Sequence, residues 1–229
     1  MERPAFLWQG FAMIFDQFDR IRIINLAHRD DRRREMTAEL ARVGVAIDGS
    51  RVAFFDAFAP SDTGDFYSRG AHGCYLSHLA ILEEQEGSVL ILEDDCDFTR
   101  VAREFEAGAF DIFYGGYDAK DPANLENSDI VGAHMMGYSA EGARRAAAYF
   151  RQLLDPAFRN HVKPPPTDGA IIWFRRAYPD IRTVFAVPPL AYQRPSRTDI
   201  AEQKLFDKLP VVGSAMTLAR RIKRLITRR

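Results

Sequence analysis

The 229-residue chain carries 31 Lys+Arg against 32 Asp+Glu, a formal net charge of −1, and 47% of it is apolar with 12% aromatic. That content fills a core of ordinary domain size, so whole-chain disorder is excluded, and 15 Gly with 12 Pro exclude collagen-like or low-complexity architecture. Two cysteines, Cys74 and Cys96, cannot build a disulfide framework or a four-ligand zinc site, which makes a reducing compartment the expectation.

No stretch approaches the roughly 18–20 apolar residues of a membrane span. The longest, residues 4–15, is interrupted by Gln9 and Gly10, and Glu2 and Arg3 precede it where a secretory signal would carry a basic cluster. Residues 1–19 are therefore read as an extension that packs on the domain or stays partly disordered.

Residues 20–26 (RIRIINL) have the β-branched pattern of a strand entering a buried sheet. Met36, Leu40 and Val43 stand at helical spacing within residues 27–43, and Gly44 ends that run. A second short strand is expected over 52–55, then a Gly/Ser/Asp-rich loop over 60–70. Leu76, Leu79, Ala80 and Leu82 stripe a helix over 71–86, stopped by Gly87. The clearest strand is 88–92 (SVLIL), which runs into Glu93-Asp94-Asp95-Cys96-Asp97.

Residues 111–114 read as a strand, and 130–138 as a strand at the edge or rim of a sheet. Ser139 caps a helix over 140–154. Pro164-Pro165-Pro166 is a rigid breaker, 170–174 is apolar and of ambiguous type, and 183–187 is a further strand. Alternating β and α elements without a repeat predict one α/β domain over 20–200 with a mostly parallel sheet.

The tail, 201–229, differs from the body. From Thr198 onward eight bases face three acids, so this end is basic and the remainder acidic. Met216, Ala219, Ile222, Leu225 and Ile226 recur every three or four residues with Arg220, Arg221, Lys223 and Arg224 on the other side. That is the pattern of a basic amphipathic helix lying on an anionic membrane surface, the alternative being a helix docked on an acidic protein surface. An acidic body without interleaved aromatic and basic residues excludes nucleic acid as a partner.

The acidic run is the sharpest chemical feature. Ligands of open α/β sheets bind beyond the carboxyl ends of strands, where residues 89–92 deliver Glu93, Asp94, Asp95 and Asp97. Four carboxylates in five residues repel one another unless a cation or hydrogen-bond donors offset them, and hard oxygen donors suit Mg²⁺ or Mn²⁺ beside a phosphate. Asn25 ends the first strand, and Arg29, Arg32 and Arg33 follow, either as phosphate ligands or as a solvated helix face. Gly70 and Gly73 permit close backbone approach at a helix start. Cys74 and His78 stand four apart, a weak metal pair without a third ligand, so Cys74 reads as a small buried hydrophobe. His78, with Ser77, either orients the acidic loop or contacts a donor.

Four blocks together resemble glycosyltransferase family 25, which contains lipooligosaccharide galactosyltransferases. They are Ile24-Asn25-Leu26 with Arg29 and Arg32; residues 70–78 (GAHGCYLSH); residues 90–95 (LILEDD); and Thr167-Asp168 followed by Gln193 and residues 196–200 (SRTDI). The resemblance implies a GT-A fold, a UDP-sugar donor, most often UDP-galactose, and inversion at the anomeric carbon. It places metal binding on Glu93, Asp95 and Asp97, with Asp95-Cys96-Asp97 a second possible Asp-x-Asp. It places donor binding on Asn25, Leu26, Arg29, Arg32, Ser77, His78, Asp94, Gln193 and Ser196.

Inverting transfer needs a general base, and Asp168, after the prolines and at the late acidic position, is the candidate, with Asp118 and Asp121 as alternatives. The expected acceptor is a glycan or glycolipid of lipooligosaccharide or cell-surface polysaccharide biosynthesis. The expected location is the inner face of a bacterial cytoplasmic membrane. Rival expectations are a catalytically silent nucleotide-sugar-binding subunit and a metal-dependent phosphohydrolase, the latter disfavoured by the lack of a His-rich two-metal cluster.

Overall fold

The computed structural model describes residues 14–84 and 86–194. The sequence expectations for residues 1–13, for Ser196 and for the basic tail lie outside the described residues.

The chain runs through β1 (Arg20–Asn25), α1 (Asp30–Arg42), β2 (Val52–Asp56), α2 (Arg69–Glu83), β3 (Val89–Glu93), β4 (Cys96–Phe98) and β5 (Ile112–Ala119). It continues through β6 (Ile130–Tyr138), α3 (Ala140–Leu153), α4 (Thr167–Ala177), β7 (Thr183–Phe185) and β8 (Ala191–Gln193). One sheet runs β2-β1-β3-β6-β5-β8-β4, with β7 also paired to β5. β1, β2, β3, β5, β7 and β8 point one way, and β6 and β4 oppose them, so the expected α/β class with a mostly parallel sheet is what forms.

Alternation along β3 explains the layering. Val89 and Ile91 face a core with α2, α3 and α4, whereas Leu90 and Leu92 face a second core with α1 and the turn Ile14–Gln17. All four are buried, so the strand is covered on both sides and reads as a continuous apolar run. Ile14, Phe15 and Phe18 belong to that second core, so the end of the N-terminal extension packs on the domain.

Residues 130–138 correct the edge placement. β6 lies between β3 and β5 in the middle of the sheet, antiparallel to both. Its small residues let neighbours close over it: a Cβ added at Gly137 would stand 2.5 Å from the Phe18 ring. The ambiguous segment 170–174 is helical, inside α4, whose Ala170, Ile171 and Phe174 are buried. β4 and β8 carry three residues each and were too short to register as apolar patterns.

Caps and close approaches fix the helices. The Ser139 hydroxyl accepts from the Gly142 amide at 3.0 Å, as expected, and Ser68 caps α2 by accepting from the Ala71 amide at 3.1 Å. α2 is pressed against the segment after β2, because a Cβ on Gly73 would fall 2.3 Å from the Phe58 carbonyl oxygen. The fully buried Ser77 hydroxyl completes the seam, donating to the Gly73 carbonyl at 2.7 Å and accepting from the Phe58 amide at 2.9 Å.

A candidate active site at the strand ends

β1, β2 and β3 are parallel neighbours, and their carboxyl ends coincide: Asn25 is level with Asp56, and Ile24 with Glu93. The register therefore sets Asn25 beside the first residues beyond β3. Asn25 Nδ2 donates to Asp94 Oδ2 at 2.8 Å, and Arg32, one turn into α1, donates to Asp94 Oδ1 at 2.6 Å. Asn25, Arg32 and Asp94 are all buried. Both Asp94 oxygens are thus engaged, which makes Asp94 an anchor of the acidic loop. Arg33 Nε reaches Asn25 Oδ1 at 3.3 Å, and its guanidinium lies 4.5 Å over the Phe54 ring.

Asp95 is placed differently. Its Oδ2 accepts from Gln193 Nε2 at 3.2 Å and stands 3.7 Å from Arg32, while its buried Oδ1 has no hydrogen-bond partner among the described residues. Burial first, then the negative charge of Glu93, pushes its carboxyl up to about 7, with Arg32 pulling the other way. Hydrogen bonding from β8 thus brings Gln193, expected from the sequence as a donor-binding residue, against the acidic loop.

Asp97 is turned away into an ion pair: Arg194 contacts its Oδ1 through Nε at 3.0 Å and through a terminal nitrogen at 2.9 Å, and also pairs with Glu35. Glu93, Asp95 and Asp97 consequently do not converge as one ligand set among the described residues. The reason is the tight link between β3 and β4, which sends successive carboxylates toward different neighbours.

Glu93 points to α2. Its Oε1 lies 3.7 Å from Cys74 Sγ and 3.8 Å from His78 Nε2, and these three side chains place a ligand atom each within 4.8 Å of one another. Burial raises the Glu93 carboxyl, but the His78 and His134 imidazoles and the Cys74 thiol outweigh it and hold the group below its ordinary value. Burial, followed by the Glu93 charge, pushes the Cys74 thiol up. Its Sγ also meets Thr167 Oγ1 at 3.3 Å, joining α2 to the start of α4. His134 is buried, and the desolvation lowers it; as a neutral ring it donates from Nε2 to the Ala191 carbonyl at 3.2 Å.

Asp168 sits in the first turn of α4. Its Oδ2 accepts from the Gly132 amide at 3.0 Å and its Oδ1 from the Gly169 amide at 2.8 Å. It therefore stitches α4 to β6 as a turn aspartate does, while remaining only half-buried and within electrostatic reach of Cys74 and Tyr67. Asp118 and Asp121 are exposed, Asp121 closing a turn through the Ala123 amide.

Three donor-binding expectations meet other partners. Arg29 is paired with Asp31 at 2.8 Å on its own helix, and Ser77 spends its hydroxyl on the α2 seam. Leu26 lies half-buried at the turn after β1, its carbonyl accepting from the Arg29 amide at 2.8 Å. Two residues that sequence reading passed over, Arg194 and His134, belong to the site, as does Thr167, which it named beside Asp168 without assigning it a role. Arg194 follows Gln193 directly, a visible signal; Thr167 had one in its place beside Asp168; His134 had none, since its neighbours Glu93 and Ala191 are remote in sequence.

No family model matches the chain. Among curated proteins it is similar to "Inactive glycosyltransferase 25 family member 3" of Homo sapiens, with 30% identity over 153 residues. The match takes in 53% of this chain but spans only 26% of that protein's length. This agrees with the family 25 resemblance carried by the motif blocks. Among solved structures, a glycosyltransferase involved in glycosylation of the major capsid of PBCV-1 is 11% identical with a TM-score of 0.48, covering 78% of this chain and 94% of that one. The glycosyltransferase GlyE of Streptococcus pneumoniae TIGR4 is 11% identical at 0.44, covering 92% and 64% respectively.

Proposed function

Taking the family 25 resemblance as the premise, we propose that this chain is an inverting glycosyltransferase that moves a hexose, galactose first among the candidates, from a UDP-sugar to a glycan acceptor. The observation that carries the reading is Asp95: a buried carboxylate at the ends of parallel strands, with one oxygen unpartnered and a second acid beside it. Such a group fits a hard divalent cation, which removes the cost of its burial. Asp95, with the negative field of Glu93 behind it, would hold Mn²⁺ or Mg²⁺, which when bound neutralises the diphosphate leaving group.

The chain's own residues supply the rest. Asn25 and Arg32 hold the acidic loop rigid through Asp94, so that Asp95 keeps its place as ligands come and go. Arg32 adds positive charge 3.7 Å from Asp95, available to a diphosphate bound beside that carboxylate. Asp168, fixed by the Gly132 amide yet half-exposed, takes the proton from the acceptor hydroxyl as its oxygen bonds to the anomeric carbon and UDP departs from the opposite face. The acceptor proposed is a lipid-linked glycan of a bacterial surface polysaccharide, and membrane contact through residues 201–229 rests on their sequence pattern.

A second reading is favoured by the curated relative, which is named inactive: a silent subunit that binds nucleotide sugar without turnover. UDP release from a panel of UDP-sugars, with Mn²⁺ and with EDTA, separates the two. The expected result is metal-dependent release from one donor, absent in Asp95→Ala, while Asp168→Ala keeps donor binding and loses turnover by orders of magnitude. Metal-dependent UDP binding with no release under any condition establishes the silent subunit. Wild-type turnover in Asp95→Ala removes the proposed cation site.

A further inference from the structure

The cluster on the α2 side of β3 has a donor set unlike that of Asp95. Cys74 and His78 are one helical turn apart on α2, and Glu93 closes on them from the end of β3. His78 is completely buried; its Nε2 faces Glu93 Oε1 at 3.8 Å, beyond hydrogen-bond distance, and neither ring nitrogen has a hydrogen-bond partner among the described residues, a costly arrangement for a polar group. Among those residues Glu93 pairs with no lysine or arginine; the cationic side chains near the strand ends are on the α1 side.

We propose that Cys74, His78 and Glu93 form a three-ligand site for a borderline-soft divalent cation of the zinc class, separate from the oxygen-ligand site on Asp95. A thiol, an imidazole and a carboxylate are the side chains that zinc recruits, whereas Mg²⁺ and Mn²⁺ prefer oxygen alone. A tetrahedral zinc with bonds of about 2.0–2.3 Å sets its ligand atoms about 3.3–3.8 Å apart. The Sγ–Oε1 separation of 3.7 Å stands at that spacing, and the Nε2–Oε1 separation of 3.8 Å needs the histidine and carboxylate to close by a few tenths of an ångström. On binding, Cys74 releases its thiol proton to solvent and the sulfur bonds to the cation as thiolate. Cys74 and Glu93 are only half-buried, and a fourth ligand, water or a substrate atom, would complete the shell.

The inference does not rest on the transferase reading, since the donor atoms alone carry it. The test is titration of the chelator-treated full chain with Co²⁺, followed by Zn²⁺ competition. One equivalent of Co²⁺ should give a near-ultraviolet thiolate-to-cobalt band that Zn²⁺ abolishes. Cys74→Ser should lose the band with its circular dichroism unchanged, and His78→Gln should lose affinity by about tenfold or more. Asp95→Asn should keep the band whatever becomes of its UDP release, which keeps failure here distinct from failure of the transferase reading.

Wild-type protein gives a second measurement that needs no folded variant: Zn²⁺ should protect Cys74 from alkylation, read by peptide mass. Cobalt bound without a thiolate band, a band that survives Cys74→Ser, or Cys74 alkylated equally with and without Zn²⁺ would each overturn the proposal.

Discussion

Toward α1, the carboxylates leaving β3 and β4 meet arginines: Asp94 is held by Arg32 and Asn25, and Asp97 by Arg194. Toward α2, Glu93 meets a thiol and a histidine, and Asp95 between the two sides keeps a bare oxygen. Both regions gather carboxylates within five residues of one another, yet arginines complete the first, whereas in the second Glu93 has only histidine and thiol neighbours and Asp95 keeps an unpartnered oxygen. Compensated acids are scaffolding, because a paired buried charge has its desolvation cost offset. Uncompensated ones mark where a cation or substrate supplies the missing charge, and that is where chemistry is expected.

The contrast is broken most severely by removing an arginine. Arg32→Met should leave Asp94 buried beside Asn25 alone and cost about 3–5 kcal/mol of stability, measured by denaturant unfolding. Asp94→Asn in the same background should recover much of that loss; if it does not, the pair is not what the arginine supports.

Next in size is a pH effect at Asp95. Its carboxyl ordinarily titrates at 3.8 and stands at about 7 in the fold, so between those values the native state holds a proton that the unfolded chain has released. Cation-free protein should therefore lose stability as the pH rises from about 4 to about 7 and level off above that. Asp95→Asn should flatten the profile in that window, and a curve unchanged by this substitution would remove Asp95 as its source. Smallest is the thiol: in chelator-treated protein, Cys74→Ala should cost about 1 kcal/mol, since no counter-charge is lost with it. A loss as large as that of Arg32→Met would make Cys74 scaffolding after all.

Much of this architecture was legible along the chain. The run at 88–92 was readable as a buried strand because residues 89–92 are apolar without a break, and Ser139 was readable as a cap from its place before an alanine-rich amphipathic stretch. β6 was misplaced because Gly132, Ala133 and Gly137 mimic a sparse edge strand, when Gly137 serves to admit the Phe18 ring beside a central strand. Pro166 and the short apolar run after it concealed α4, whose first turn tolerates the prolines before it.

The sequence by itself determined the alternation of strands and helices and the delivery of four carboxylates to one strand end, because hydrophobic period and turn residues are local properties. It also spaced Cys74 and His78 one turn apart. Only the tertiary structure decided that Asp94 and Asp97 are hydrogen-bonded by arginines, that Asp95 keeps one oxygen unpartnered, and that Glu93 supplies the third donor beside Cys74 and His78. Those partnerships depend on the parallel register of β1 and β3 and on how closely Gly73 lets α2 approach, contacts between residues that no local pattern ties together.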